Sequence, residues 1–188
     1  MAFATIDVTK GITGTIPVAN GGTGLASGTI GQFLKFTGTT TLASAADNGK
    51  ILQAVSATYA TEVSTTDSSS WTDSGLTLNI TPSATSSKVL FIISQSAFVT
   101  RASTLARGLY RVLRGSTTVY DSANWSINMQ QSGTDLSHST MLVFSGLDSP
   151  SSTSALTYKS QMLPDSSTTM KSQQSNHPST ITLLEVGA

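Results

Sequence analysis

The 188-residue chain contains no cysteine. Disulfides, thiolate catalysis and cysteine-ligated zinc are therefore excluded. Charge is also scarce. Charged residues make up 11% of the chain, far below the usual quarter, and the net charge at pH 7 is zero. A neutral chain does not capture nucleic acid or an anionic membrane surface through its general field. No apolar run approaches the ~20 residues of a membrane helix, so no membrane insertion is expected. Met1–Lys10 lacks the basic start and apolar stretch of a secretory leader. Aromatic residues are 6% of the total, and there are only two histidines, His138 and His177. Neither has a second histidine or acidic residue at the metal-binding spacing of a helix, although Asp135 lies three before His138, and both are expected in surface loops.

What the chain has in abundance is hydroxyl. Serine contributes 31 residues and threonine 30, about a third of the sequence. Disorder usually combines high net charge with few apolar residues. Here 38% of residues are hydrophobic, and they fall in separate short runs. The pattern predicts a β-rich protein with a bland surface. Without cysteine, durability outside a cell would have to come from oligomerisation.

The first 60 residues differ from the rest. They hold 9 of the 15 glycines and no long apolar run. Within them, Ile16-Pro17-Val18-Ala19-Asn20-Gly21-Gly22-Thr23-Gly24 is dominated by backbone. Glycine and asparagine tolerate positive φ, so this stretch reads as a turn-rich connector. Two short apolar segments follow glycines: Gly31-Gln32-Phe33-Leu34-Lys35 and Gly49-Lys50-Ile51-Leu52-Gln53. They read as a degenerate repeat of two short strands, each too small to bury its apolar face alone. Such strands need partner chains around an axis, as in an intertwined shaft; the alternative is a flexible arm packed on the main domain. Residues 61–75 are polar and turn-rich, which places a domain boundary near residue 60.

Beyond that boundary, strand and turn signals alternate. Leu76–Ile80 alternates apolar and polar as a half-buried strand does, and Pro82 stops it. Lys88–Ser94 is apolar on both faces and about seven residues long, which predicts a fully buried central strand. Gly108–Arg114 and Thr117–Tyr120 flank Gly115-Ser116 as a hairpin. Thr140–Phe144, Leu156–Leu163 and Thr180–Val186 complete the set. Ala102–Arg114 also has helical spacing, but the bracketing glycines favour a strand. Leu109, Arg111 and Leu113 then share a face, and Arg111 needs a carboxylate or carbonyl partner. The predicted fold is all-β: an elongated N-terminal arm or shaft over residues 1–60, then an antiparallel, jelly-roll-like β-sandwich over residues 61–188.

Two sets of residues carry a resemblance. Pro17-Val18-Ala19-Asn20-Gly21-Gly22-Thr23-Gly24 closely resembles an element of the N-terminal, fibre-forming parts of bacteriophage tail-fibre proteins. Gly75–Pro82, Ser86–Leu90, Arg107–Thr117, Leu147–Lys159 and Ser179–Val186 resemble a C-terminal domain common in phage fibre and other virion proteins. The resemblance implies a homotrimeric structural fibre of the virion, made in the bacterial host cytoplasm. Its N-terminal arm (Ile16, Pro17, Val18, Asn20, Gly21, Gly22 and Gly24) would anchor to tail, adaptor or capsid proteins. Its tip would adsorb to a host-surface glycan or protein. The second reading is a capsid-associated head fibre or decoration protein that binds no receptor.

No motif carries catalysis. Gly21-Gly22-Thr23-Gly24 lacks the Gly-Lys-Ser/Thr ending of a phosphate loop and the third glycine of a dinucleotide site. No Gly-x-Ser-x-Gly elbow occurs. A glycan-cleaving fibre, the third reading, needs two carboxylates ~5–9.5 Å apart. Asp121, Asp135, Asp148 and Asp165 sit in predicted loops, where turn formation accounts for them. No enzyme activity, cofactor or metal is expected. Arg101, Arg107, Arg111 and Arg114 read as interface or ion-pair residues rather than a nucleic-acid surface. Trp125, between Asn124 and Asn128, has two readings: a ring that caps one end of the sandwich, or the receptor-binding candidate, because an aromatic ring beside amides suits the apolar face and hydroxyls of a sugar.

Overall fold

In the computed structural model, residues 25, 28–30, 32–39, 41–45, 51–132 and 135–187 are described. The anchoring element at Ile16, Pro17, Val18, Asn20, Gly21, Gly22 and Gly24 lies outside the described residues. The chain divides into two compact units, Met1–Asn48 and Gly49–Ala188.

The first unit contains an antiparallel hairpin. Strand β1 (Phe33–Phe36) pairs with β2 (Leu42–Ala45), Phe36 opposite Leu42. All four β1 residues are exposed, as is Ile30 just before them. A lone two-stranded hairpin is marginal in water, and this one leaves Leu34 and Phe36 in solvent.

The second unit is a sandwich of two antiparallel sheets. Its strands are β3 (Ile51–Tyr59), β4 (Val63–Thr65), β5 (Thr72–Ile80), β6 (Lys88–Arg101), β7 (Leu105–Arg114), β8 (Thr117–Asp121), β9 (Ile127–Gln130), β10 (Leu136–Asp148), β11 (Leu156–Pro164), β12 (Thr169–Ser172) and β13 (Ser179–Val186). One sheet runs β3-β13-β6-β10, with β12 and β4 continuing beside the far end of β6. The other runs β5-β11-β7-β8, with β9 beside the near end of β7. The pairings are nested: β3 with β13, β5 with β11, β6 with β10, β7 with β8 and β9. One long hairpin rolled on itself gives this order, which is that of a jelly roll.

β3 corrects the sequence reading in two ways. The glycine-led repeat assigns Ile51 and its neighbours to the shaft, yet β3 pairs with β13 from Tyr59–Ser179 to Ile51–Val186. The compact unit therefore begins at Gly49, not near residue 60. The two apolar segments are not structural copies: β1 closes on its local neighbour, and β3 on a strand near the other end of the unit.

Alternation explains the core. Val89, Phe91 and Ile93 of β6 point inward with Ala106, Tyr110 and Val112 of β7, Leu76 and Ile80 of β5, Tyr158 and Met162 of β11, and Ile181 and Leu183 of β13. The β7–β8 turn forms as expected, with Gly115 at φ 56. β7 is a strand throughout, as the glycines indicate. β6 is central but not buried on both faces, because Ile92 is exposed and Leu90 half-buried on its outer side. His138 lies in β10 rather than a loop, and His177 is exposed beside a short 3-10 turn at Gln174–Asn176.

Both long strands lose a backbone partner where their neighbours change, and serine hydroxyls fill the gaps. Between β12 and β13, the Ser96 N–H donates to Ser179 Oγ (2.9 Å), and the Gln173 N–H donates to Ser96 O (3.3 Å). Between β8 and β9, the Tyr110 N–H donates to Ser126 Oγ (2.8 Å). Leaving such groups unpaired inside the sandwich would cost about 1–3 kcal/mol each. The first gap joins a buried polar network. Gln95 Oε1 accepts from Ser160 Oγ (2.9 Å), Gln95 Nε2 donates to Ser179 Oγ (3.1 Å), and the Ser74 and Ser160 hydroxyls meet each other. The serine-rich composition thus serves the interior as well as the surface.

Candidate functional site

β7 alternates from Leu105 to Val112, and the odd-numbered residues of that stretch leave the core. Arg107, Leu109 and Arg111 emerge on the outer face of the β5-β11-β7 sheet, while Ala106, Gly108, Tyr110 and Val112 face inward. Each arginine stacks on a tryptophan. The Arg107 guanidinium lies 4.4 Å from the centre of the Trp125 ring, and that of Arg111 lies 4.4 Å from Trp71. Such contacts contribute about 0.5–2 kcal/mol, depending on desolvation. Residues four apart along a strand stand about 13 Å apart, so the two stacks are separated by a short half-buried floor of Leu109 and its cross-strand partner Leu163.

Acceptors fix both guanidinium groups. Arg107 donates from Nε (3.0 Å) and Nη2 (2.7 Å) to Asp165 Oδ2, and Arg101 Nη1 stands 3.8 Å from the same oxygen. Asp165 is held by its own turn: its N–H donates to Arg107 O (3.0 Å), and the Ser166 N–H donates to Asp165 Oδ1 (2.8 Å). Burial pulls the Asp165 carboxyl up, but the Arg107 hydrogen bonds, the Ser166 N–H and the arginine charges outweigh it and hold it below its ordinary value. Arg111 donates from Nε (2.8 Å) and Nη2 (2.6 Å) to Gln161 Oε1, the carbonyl partner its setting between leucines requires. Gln161 Nε2 passes the chain on to Asp73 Oδ1 (2.6 Å), whose other oxygen accepts from Lys159 Nζ (2.9 Å).

Trp125 sits half-buried in the turn between β8 and β9, where Ala123 adopts φ 51. Asp121 Oδ1 accepts from the Ala123 N–H (3.2 Å), and the Asn124 N–H donates to Ser122 O. Asn128 stands directly opposite Arg107 in the β7–β9 register and is exposed, so it shares the face of the stack. Asn124 is exposed on the turn itself. Of the three candidates, Trp125 and Asn128 therefore flank Arg107, and Asn124 belongs to the turn that carries the ring.

Sequence reasoning assigns no role in this surface to Trp71, Gln161 or Asp165. Their arginine partners lie 40 to 58 residues away, and only the outward alternation of β7 hints at them. The other aspartates are engaged separately. Asp148 accepts from Arg114 Nη1 (2.5 Å) and from the Tyr158 hydroxyl (2.6 Å), and Asp135 adopts φ 68 before β10. Asp165 and Asp73, the carboxylates of this face, are each bound to a cation; burial pulls both carboxyls up, but their hydrogen bonds and neighbouring positive charge outweigh it and hold both below their ordinary value. Among the described residues, no group of three His, Cys, Asp or Glu side chains could hold a metal ion. The arrangement places two ring–guanidinium stacks on one outer face, each guanidinium committed to a side-chain acceptor and one of them beside the exposed Asn128.

The second unit is thus an all-β antiparallel sandwich with an aromatic, polar outer face. No family model matches the chain, and no curated protein matches it. Among solved structures, it is similar to the T13 viral particle of infectious bursal disease virus, with 12% identity, 82% of this chain and 39% of that chain covered, and a TM-score of 0.33. It is also similar to the VP2 subviral particle of that virus, with 12% identity, coverage of 82% and 42%, and a TM-score of 0.32. The chain spans less than half the length of those chains.

Proposed function

We propose that this chain is a structural protein of a bacteriophage particle, a homotrimeric tail fibre that mediates adsorption to the host cell surface. The carrying observation is the division of labour between its units. The first unit holds a hairpin that leaves Ile30, Leu34 and Phe36 in solvent and invites burial by other chains. The second unit closes its own core. The Pro17–Gly24 element, with its resemblance to fibre-forming segments, supports an anchoring role for the first. The Trp125–Arg107–Asp165 cluster beside Asn128 supports glycan recognition by the second. Three weak sites on one particle gain avidity without new contacts.

Binding of the labelled full chain to cells of the supporting bacterium tests this reading. Saturable binding is expected, weakened about tenfold or more by Trp125→Ala while the far-UV spectrum stays unchanged. A folded protein that binds no such cells fails the adsorption reading and leaves a decoration protein in its place.

A further inference from the structure

Strand β6 also carries apolar residues on its outer side, where Leu90 is half-buried and Ile92 exposed among the described residues. On the outer side of the β3-β13-β6-β10 sheet, register places Leu147 beside Leu90 and Leu184, and Val143 beside Ser94 and Thr180. Val143 is 68% exposed, Leu147 55% and Met141 52%, with Ile92 and Leu52 exposed nearby. The orientation is fixed by the opposite side: Phe144 is buried, and a Cβ on Gly146 would meet the Phe91 ring at 2.5 Å. From Leu90 to Ser96 and along the outward positions of β10, β13 and β3 beside them, side chains are apolar, serine or threonine. Among the described residues, Lys88 stands at one end of this stretch; at the other, Lys171 stands opposite Phe98 in the β12–β6 register, ion-paired to Glu62, with His177 on the pocket beyond.

Three further features narrow the occupant. β10 is an edge strand among the described residues, pairing with β6 over thirteen consecutive positions without a bulge. From Leu136 to Leu147 it carries no lysine, arginine or proline, the devices that keep exposed edges apart. A pocket of about 200 Å³ opens where the apolar stripe ends, between Phe98, Met141, Gln174 and His177, and can receive a protruding side chain. Four strands about 4.8 Å apart and some seven residues long give a face of roughly 500 Å² in plan. With the relief of its side chains and the pocket, that approaches the about 800 Å² per partner of a stable interface. A charged partner would gain no pairing here. From Leu90 to Ser96 the face is uncharged, so it meets its own copy there without like-charge repulsion.

We propose that this outer sheet face is the contact between copies of the chain, with Met141, Val143 and Leu147 of β10 at its centre. The assignment rests on the homo-oligomeric reading above and adds which surface makes the contact.

The absence of cysteine makes the test clean. Val143→Cys and, on the exposed β8 edge, Thr117→Cys each place a single thiol in the full chain. Labelling rates with a maleimide are measured in buffer and in denaturant, alongside the solution mass. The proposal expects a multimer in which the thiol at position 143 reacts at least tenfold more slowly than the thiol at position 117, the two rates converging in denaturant. Equal rates in the folded protein overturn it at any mass; if the mass is still that of a multimer, the fibre reading survives with a different interface. Protection at position 143 in a species of monomeric mass also overturns it, because the cover then comes from the same chain.

Discussion

Glu185 is an informative single residue for stability. It is almost fully buried on β13, and hydrogen bonds hold its carboxylate. Oε1 accepts from the Ser83 N–H (2.6 Å) and hydroxyl (2.6 Å), and Oε2 from Gln53 Nε2 (2.8 Å). Burial raises the pKa of this carboxyl, but these donors outweigh it and bring it from 4.5 down to about 2. A depressed folded pKa stabilises the fold above the ordinary value and loses that contribution as pH falls through the folded one. Glu185→Gln should therefore cost about 1–3 kcal/mol at neutral pH, the range for a hydrogen bond to a buried charged group. Urea melts of both proteins should converge as the pH drops from 4.5 towards 2. A gap that stays constant over this range would remove the carboxylate charge from the explanation. Trp125 and Trp71 differ in kind: their rings are half-buried and stack on Arg107 and Arg111 at the outer face, so their loss should cost the core little.

At the scale of elements, β6 and β10 are locked by Gly146. An added methyl would meet Phe91 Cζ at 2.5 Å, and Phe91 is itself buried in the core. Gly146→Ala should destabilise by about 1–3 kcal/mol through overpacking, read as a lower urea midpoint with an unchanged slope. How far such elements can be read from sequence depends on where their partners lie. The β7–β8 hairpin is legible because Gly115 and the flanking strands are local. Arg111's need for a carbonyl is legible from the leucines on either side, although its source, Gln161, is not. β3 escapes a sequence reading because Ile51–Tyr59 looks weak alone, and its hydrogen bonds come from β13 at the far end of the chain. Lys88–Ser94 reads as buried on both sides because a run of apolar residues is the signature of a covered strand. Among the described residues Ile92 stays exposed on the outer side, and that mismatch leads to the interface proposed on that sheet. The Trp–Arg stacks are invisible in sequence because each joins segments brought together only by the rolled topology.

For the whole molecule, the jelly roll and the N-terminal unit make different demands. The sandwich buries a continuous core and satisfies its broken strand ladders with Ser96, Ser126 and Ser179. The hairpin of the first unit leaves Leu34 and Phe36 outside. A chain with no disulfide and little charge gains stability by mass action when copies associate, so its melting temperature should rise with concentration. The solution mass of the purified 188-residue chain, by sedimentation equilibrium across a wide concentration range, is the most direct test of the fibre account. The account predicts three times the 19.5 kDa chain mass, persisting to the lowest concentration. A folded monomer throughout would contradict it.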